Sequence, residues 1–597
     1  MLHDRPRAAA YAAALAKVVR PGALVLDIGA GTGLLSALAL RAAPDVTVVA
    51  CEQWAPMAAL ARRVLGDNGC EKVEVVPSRS DDPPLAAVMA GRRADVIVSE
   101  ILDSCLLGEG ALPTMAHAGA HLLKQGGVAV PSAGRLLACV VASPVLRARW
   151  VSNACATLRP LHVGALAGAA GLLVPLTPPA VVASFDLTRP RLADLSGETT
   201  TSLPPATAAG PADAVVAWWE VDLAPGVALS TAPAWAREAG DPPPPPWTDH
   251  WKQAWAPGAA GVAVAVGDAV ALRVRWDSTE VSMSLAAAPP PPPADLYCPD
   301  GDWLWGLSAG GAAALDAGAR AVAAAAAGGA VLALGDGHLA ALAAARAGAD
   351  VVALVDSPGA ARATARAAAA ASVPVRVELL TVALQRTTDA SPAAIALLAE
   401  PHYADTEGLP WDCLRFWRAK DALVAAGALA PTATLSPSSA RLVLVGLHAP
   451  DLYRTRGALG SVQGVDMGVL DAAARAGASP NALLPRAAWQ CGATRDATTR
   501  ETVYELDFLG EAGEIEGDAV LRALDDTPTR IHAVAAWLAL DAAPGARHAC
   551  APDPGGGPAP GPHAVLVLRG EAAAPLRVRA RLSWGPDGRP RGTLEVV

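Results

Sequence analysis

The sequence predicts an α/β plus β protein made of two tandem copies of one unit. Two observations support this prediction. A pattern of strand, glycine turn and helix occurs twice, and each occurrence precedes a long region in which apolar and polar residues alternate. Strands alternating with helices favour a parallel sheet, whereas residue-by-residue alternation favours antiparallel strands. A chain of 597 residues is also too long for one hydrophobic core.

The two α/β regions match element by element. The first opens with ALVLDIGAGTGLLSALAL at Ala23–Leu40, and the second with AVLALGDGHLAALAAA at Ala330–Ala345. Later apolar strands of both regions end in acidic residues, which are Glu52, Glu100, Asp356 and Glu400. This shared order predicts one domain type that is present twice.

Each α/β region is followed by a predicted β domain, as in AVALRVRW at Ala269–Trp276 and LRVRARLSW at Leu576–Trp584. The proline run at Pro289–Tyr297 indicates a stiff linker, and those at Asp241–Trp247 and Ala551–His563 indicate surface loops. The expected α/β domains are residues 1–132 and 300–432, the β-barrel-like domains are 133–288 (with an arm insertion) and 433–597, and the linker is 289–299.

Composition and charge argue against several classes of protein. The net charge of -10 argues against direct binding of nucleic acid, because phosphate contacts need clustered lysine and arginine. Nine cysteines without a CxxC pair indicate neither a disulfide framework nor a zinc site, so no metal is predicted. The longest uncharged stretch, Leu161–Phe185, contains prolines, and the first residues lack an apolar core. Neither a membrane span nor a signal peptide is therefore expected.

The strand ends of the first copy carry residues suited to binding a nucleoside. Parallel strands bind ligands beyond their carboxyl ends, where Asp27, Glu52 and Glu100 fall. The turn GAGTGL contains Gly29, Gly31 and Gly33. Leu34 stands where the dinucleotide fingerprint needs a small residue. A glycine turn followed by an acid for ribose hydroxyls therefore favours S-adenosylmethionine over a nicotinamide dinucleotide.

Two glutamates bracket a short loop in SEILDSCLLGEG, at Ser99–Gly110. Glu100 directly follows the third strand, and Glu109 lies between two glycines. Such a pair could receive one cationic group, although the loop alone could also be a solvated acidic turn.

In combination, these motifs resemble the protein arginine methyltransferases. The resemblance rests on VLDIGAGTGLLS, CEQWAPM, SEILDSCLLGEGALP, MLHD followed by Arg7, and DHW at Asp249–Trp251. It covers nearly the whole chain and is strongest to members with a tandem repeat and a monomethylated product. It implies two Rossmann-like class I S-adenosylmethionine-dependent methyltransferase domains, each followed by a β-barrel-like domain, with the second copy degenerate.

The resemblance implies that Glu100 and Glu109 clamp the guanidinium of a substrate arginine. A guanidinium is delocalised and stays protonated in water. Two carboxylates in bidentate contact draw its charge to one side, so the nitrogen left outside regains nucleophilic character. Orientation and electrostatics would then supply the catalysis, without a metal or a covalent intermediate.

Further site residues follow from the same resemblance. Those assigned to the cofactor are Arg7, Asp27, Gly29, Gly31, Gly33, Glu52, Ser80 and Asp81. Arg7 would pair with the cofactor's carboxylate, and Ser80 and Asp81 would touch its adenine. His250 would support the glutamates as a catalytic residue, while Asp103 and Trp251 would bind substrate.

The second copy is predicted to be inactive. LGDGHL has His338 where the third glycine would be, and Glu407 has the wrong spacing after Glu400. The resemblance implies that the two halves form the equivalent of the family's dimer within one chain, so we expect a monomer. Cys105, where related enzymes have an acid, would alter preference for residues flanking the target arginine.

The resemblance implies monomethylation of arginine in histones and RNA-binding proteins, in the cytoplasm and the nucleus. One alternative is a catalytically impaired scaffold, because the family has a tyrosine-containing helix upstream of the motif that starts here at Met1. A second is a nicotinamide-dependent oxidoreductase, which Leu34 and the glutamate loop disfavour. A third is a small-molecule methyltransferase, which the paired glutamates disfavour.

Overall fold

A computed structural model describes residues 1–150, 157–167, 172–237, 247–259, 261–287, 309–385, 393–400, 409–477, 482–486, 491–524, 530–543, 546–549 and 563–597. The predicted linker at Pro289–Tyr297 and Glu407 lie outside these ranges, as does nearly all of the two proline-rich loops. Within the described residues, no helix has the length and apolarity needed to cross a membrane.

The first α/β region forms a five-stranded parallel sheet with the order β3-β2-β1-β4-β5. Its strands are β1 (Leu24–Ile28), β2 (Thr47–Cys51), β3 (Glu74–Val76), β4 (Ala94–Ser99) and β5 (Leu123–Val130). Its helices are α1 (Arg5–Val18), α2 (Leu34–Ala42), α3 (Ala55–Asp67), α4 (Pro83–Met89) and α5 (Ala111–His121). The central strand β1 is buried along its whole length, which explains why all its residues except Asp27 are apolar.

Antiparallel sheets follow, as the alternating residues predict. Their strands are β6 (Ala133–Ala142), β7 (Arg159–Leu161), β8 (Val174–Pro175), β9 (Ala180–Asp186), β10 (Gly197–Ser202), β11 (Gly210–Pro211), β12 (Ala214–Ala224), β13 (Val227–Ser230), β14 (Gln253–Pro257), β15 (Ala263–Val264), β16 (Ala271–Trp276) and β17 (Val281–Leu285). Helices α6 (Pro144–Trp150) and α7 (Gly164–Ala167) lie between them in sequence. The largest sheet has seven strands, with β12 paired to β6, β13 and β14.

The second α/β region has the same sheet order, β20-β19-β18-β21-β22, and all its strand pairs are parallel. Its elements are α8 (Ala309–Ala326), β18 (Ala330–Leu334), α9 (Leu339–Arg346), β19 (Asp350–Val355), α10 (Pro358–Ala370), β20 (Val375–Leu379), α11 (Leu380–Ala383), β21 (Ala394–Ala399), α12 (Arg415–Ala425) and β22 (Leu429–Ser436). This equivalence agrees with the predicted repeat.

The last part of the chain is again mainly antiparallel. Its elements are β23 (Ser439–His448), α13 (Pro450–Arg454), β24 (Ser461–Val462), β25 (Val465–Asp466), α14 (Gly468–Gly477), β26 (Leu483–Arg486), β27 (Arg495–Asp496), β28 (Glu501–Asp507), β29 (Ile515–Leu521), β30 (Ile531–Ala543), β31 (Ala546–Ala549), β32 (His563–Ala572), β33 (Leu576–Trp584) and β34 (Pro590–Val596). A seven-stranded sheet centred on β23 and β30 corresponds to the sheet of β6 and β12.

The chain divides into two compact units that do not follow the predicted boundaries throughout. The first unit contains Met1–Pro144, Ala156–Pro290 and also Arg454–Ala478. We call the last of these segments the arm. Its side chains Val462 and Val465 are fully buried in the core of the first unit. The prediction that residues 433–597 form one domain is therefore corrected for the arm, whose apolar residues need the first unit for burial.

Candidate functional site

The glycine turn after β1 has little room for side chains. Gly29 has φ +75°, and a Cβ there would lie 2.8 Å from Ile101 Cγ2. Gly31 also has a positive φ, and its N–H donates to Glu52 Oε2 at 2.9 Å. Gly33 is the left-handed N-cap of α2. A bulkier residue at position 29 would have to displace Ile101 and adopt a strained backbone, so the turn depends on glycine there.

Two acids fix this turn from neighbouring strands. Asp27 Oδ2 accepts a hydrogen bond from Ser36 Oγ at 2.6 Å, which joins β1 to α2. Full burial raises the pKa of Asp27 to about 7, against the effect of the Ser36 hydrogen bonds. Glu52 accepts from Gly31 through Oε2 and from the N–H of Trp54 through Oε1, at 2.8 Å. Glu52 is thus held in one orientation beside the turn.

A cavity of about 510 Å³ opens at the carboxyl ends of these strands. It brings together six of the residues that the sequence predicted for the site: Gly29, Glu52, Ser80, Asp81, Glu100 and Glu109. Thr279, from the turn between β16 and β17, also lines it. Asp81 forms an exposed ion pair with Arg79, with 3.0 Å between Oδ1 and Nε. One cavity therefore joins the nucleoside-type turn to the glutamate loop.

Glu100 presents an unusual carboxylate to this cavity. Its Oε2 accepts from Arg7 Nη1 at 2.5 Å, whereas its buried Oε1 has no hydrogen-bond partner among the described residues. Burial raises the pKa of Glu100 to about 7, while the charge of Arg7 opposes the shift and that of Glu109 adds to it. Burial, and secondarily the charge of Asp103, also raise the pKa of Glu109. Both acids are thus poised for a cation that would stabilise their charged forms.

Arg7 and Asp4 connect the N-terminal helix to the site. Asp4 caps α1, because its Oδ1 accepts from the N–H of Arg7 at 2.9 Å, and its Oδ2 lies 3.4 Å from His250 Nε2. The Arg7 guanidinium lies 5.6 Å from the centroid of the Trp251 ring. The predicted pairing of Arg7 with a cofactor carboxylate stays a prediction, since its partner in this structure is Glu100. Sequence reasoning missed Asp4, although it is part of the quoted motif MLHD.

Asp103 and Trp251 hold the glutamate loop. Asp103 Oδ1 accepts from the N–H groups of Cys105 and Gly108, at 3.0 Å and 2.9 Å. Trp251 Nε1 donates to the carbonyl of Leu102 at 2.7 Å. Neither Asp103, Trp251 nor His250 is among the cavity-lining residues. The predicted substrate contacts of Asp103 and Trp251 stay a prediction, and in this structure both side chains contact the backbone of the glutamate loop.

A second tryptophan, which the sequence analysis did not single out, completes this support. Trp219 on β12 is fully buried, and its Nε1 donates to the carbonyl of Asp103 at 2.9 Å. Its ring packs edge-on against Trp251 with 4.8 Å between centroids. The strong apolar run of β12 signals burial, but nothing local in that run indicates a contact with the glutamate loop.

At the equivalent edge of the second copy, Glu400 occupies the glycine turn. A Cβ on Gly337 would lie 2.1 Å from Glu400 Oε1, and Glu400 Oε2 accepts from the N–H of Ala340 at 2.9 Å. Burial raises the pKa of Glu400 to about 7, and the hydrogen bonds at the start of α9 counter this. Asp356 Oδ2 accepts from Arg415 Nη2 at 2.8 Å. The carboxylates of Glu400 and Asp356 therefore both accept hydrogen bonds from other residues of the protein.

The chain is similar to known proteins over most of its length. Residues 25–127 match the family of methyltransferase domains, and residues 174–285 match the arginine methyltransferase oligomerization subdomain. Protein arginine N-methyltransferase 1.6 of Arabidopsis thaliana is 30% identical over 593 residues, which covers 90% of this chain and 80% of that protein. Protein arginine N-methyltransferase 7 of Oryza sativa subsp. indica is 29% identical over 605 residues, covering 90% and 81%.

A bacterial relative matches a shorter region. Arginine N(omega)-methyltransferase of Streptomyces achromogenes subsp. streptozoticus is 36% identical over 296 residues, which covers 48% of this chain and 77% of that protein. Similarity to this protein therefore concerns about half of the chain, whereas the plant relatives align with nearly all of it.

Proposed function

Because the chain belongs to the protein arginine N-methyltransferase family, we propose that its first copy forms ω-N-monomethylarginine in proteins. The observation that carries this proposal is the single cavity shared by Glu100, Glu109 and the glycine turn. Two carboxylates there suit one guanidinium, and the turn and Glu52 suit a nucleoside.

The residues present fit S-adenosylmethionine as the methyl donor. Gly29 leaves the turn without a side chain, Glu52 stands beside it for ribose hydroxyls, and Ser80 and Asp81 line the adjoining wall. S-adenosylmethionine supplies an electrophilic methyl group on a positively charged sulfur. Arg7 is close enough to the glutamates to serve either Glu100 or a ligand carboxylate.

The glutamates would act by position and charge. Glu100 and Glu109 hold the substrate guanidinium, and its outward nitrogen is then aligned for attack on the methyl carbon. S-adenosylmethionine would supply the methyl group, with the N–C bond formed as the S–C bond breaks and the bonding pair kept by sulfur. The methylated nitrogen then loses a proton, for which Glu100 Oε1 is a suitable acceptor, since Glu100 lines the cavity and no described residue occupies this oxygen.

The second copy is proposed to be an inactive repeat. Glu400 lies against its glycine turn, and Asp356 is paired with Arg415, so neither acid is placed to receive a nucleoside. The arm is buried in the first unit, which supports a monomer that contains its own equivalent of a dimer. We place the protein in the cytoplasm and nucleus, with histones and RNA-binding proteins as substrates, on the sequence resemblance alone.

Calorimetry should show one S-adenosylmethionine site per chain. Glu52→Gln is expected to weaken binding by roughly tenfold or more, because one negatively charged partner is lost. Asp356→Asn is the matched control in the second copy, and it should leave the affinity unchanged. Two sites per chain, or equal losses in both variants, would contradict the assignment of the second copy as inactive.

Mass spectrometry of an arginine- and glycine-rich peptide incubated with the protein and S-adenosylmethionine tests the function. We expect a net gain of one CH2, because a methyl group replaces a hydrogen, and fragmentation should place the methyl group on arginine. A matched peptide with lysine in place of arginine should stay unmodified. A second methyl on one arginine would refute monomethylation, and methylation of free arginine but not of the peptide would assign a small-molecule substrate instead.

A further inference from the structure

The substrate loop, Trp247–Trp251, is held from outside the first α/β domain by arginines of the arm. We propose that Arg456 is a positioning residue for methyl transfer, acting through this loop on the glutamate loop. The proposal rests on the function proposed above. Arg456 lies in the part of the sequence that belongs to the second copy, yet it packs within the first unit.

Two arm arginines contact the substrate loop directly. Arg456 Nη2 lies 2.5 Å from Asp249 Oδ2, and the Asp249 side chain is only 17% exposed. Arg454 Nη2 donates to the carbonyl of Trp247 at 2.6 Å. A partly buried, charge-assisted hydrogen bond of this kind restrains a loop more than an exposed ion pair does.

The substrate loop needs such restraint because its backbone is strained. Trp251 has φ +49°, in the left-handed region that a bulky side chain rarely adopts. A residue persists in this conformation only where surrounding contacts over-determine it. Trp251 donates to the carbonyl of Leu102, and the N–H of the next residue, Lys252, donates to Ser104 Oγ, both in the glutamate loop. On the other side, Asp249 is paired with Arg456 of the arm.

Arg456 also holds in place the Asp249 carboxylate, which lies next to His250. Asp249 Oδ1 lies 3.9 Å from His250 Nδ1, while Asp4 lies near the other ring nitrogen. Loss of Arg456 removes a cation that holds the Asp249 carboxylate, and this favours competition of Asp249 with Asp4 for the imidazole. Because Asp4 caps the helix that carries Arg7, such a change would reach the partner of Glu100.

The arm has other anchors that do not touch the substrate loop. Asn68 exchanges two hydrogen bonds with Asp466, at 2.9 Å and 2.7 Å, and Arg5 donates to the carbonyl of Leu459 at 2.8 Å. Arg41 donates to the carbonyl of Gly464 at 3.1 Å. Loss of Arg456 should therefore leave the arm docked and act on the loop alone.

The test compares Arg456→Ala with the control Arg41→Ala, which removes an arm contact made by α2 and not by the loop. We expect Arg456→Ala to lower kcat roughly tenfold or more with unchanged affinity for S-adenosylmethionine, since a misplaced reacting group costs rate more than binding. Arg456→Lys should recover most of the rate. Asp249→Asn should lower kcat similarly, and the double variant should lose no more than either single variant.

Hydrogen exchange gives a readout that does not need activity. Arg456→Ala should speed amide exchange in residues 99–110 and 247–252, and Arg41→Ala should not. Unchanged kcat and exchange in Arg456→Ala, multiplying losses in the double variant, or equal losses in Arg41→Ala would overturn the proposal. Absence of peptide methylation by the wild-type protein, together with faster exchange in Arg456→Ala, would refute the proposed function but not the restraint of the substrate loop by Arg456.

Discussion

Glu109→Gln is expected to reduce kcat/KM for an arginine peptide by roughly 100- to 1,000-fold, the range seen when one preorganised electrostatic group is removed. Glutamine keeps the shape of the side chain but removes the charge that polarises a guanidinium. Glu109 lines the cavity with Glu100 and is itself exposed, so the substitution should leave the fold intact. Affinity for S-adenosylmethionine should stay within about twofold, because Glu109 is outside the glycine turn.

Glu100→Gln should be at least as damaging, because it also removes the charged partner of Arg7. The measurements are steady-state kinetics of methyl transfer and calorimetry of cofactor binding for both variants. Glu71→Gln, at an exposed glutamate of the same domain, is the control and should behave as wild type. Near-normal rates in Glu109→Gln would show that the two acids do not act as a clamp.

The second large effect is expected from pH. Glu100 must be ionised to hold a guanidinium, and burial raises its pKa to about 7. As the pH falls below 7, a growing fraction is protonated and neutral, so kcat/KM should fall about tenfold per pH unit and level off above about pH 8. This profile reports the free enzyme, because a bound guanidinium would itself lower the pKa.

Arg7→Met should move the midpoint of this profile to higher pH, since the positive charge of Arg7 lowers the pKa of Glu100. Arg7→Lys keeps a charge and should keep the midpoint close to that of wild type. The measurement is kcat/KM for the wild type, Arg7→Met and Arg7→Lys as a function of pH. A profile that stays flat from about pH 6 to pH 8 would exclude Glu100 as the controlling group.

Much of the fold and half of the site could be predicted from local sequence. Alternating apolar strands and helices predict two parallel sheets, and the two sheets have the same strand order. The carboxyl ends of parallel strands meet at one edge of a sheet. The same geometry explains why Glu52, Glu100 and Gly29 line one cavity. Because each of these residues follows a parallel strand, the strand direction alone places them at the carboxyl edge of the sheet.

Residues missed by the sequence analysis depend on long-range packing. Trp219 contacts the glutamate loop from a strand far along the chain, and Arg456 contacts Asp249 from the arm. Asp103 lies in the glutamate loop, and its carboxylate accepts hydrogen bonds from the loop's own N–H groups. No local pattern shows in which direction a loop side chain points.

The buried arm also bears on how this gene can change over time. A duplicated copy that no longer performs chemistry is usually free to accumulate substitutions, and Glu400 beside the second glycine turn is compatible with such drift. Val462 and Val465 are not free in this sense, because they fill the core of the first unit. Selection on the first copy therefore extends to a short stretch of the second, and a deletion that removed the second copy would also remove part of the core of the first unit.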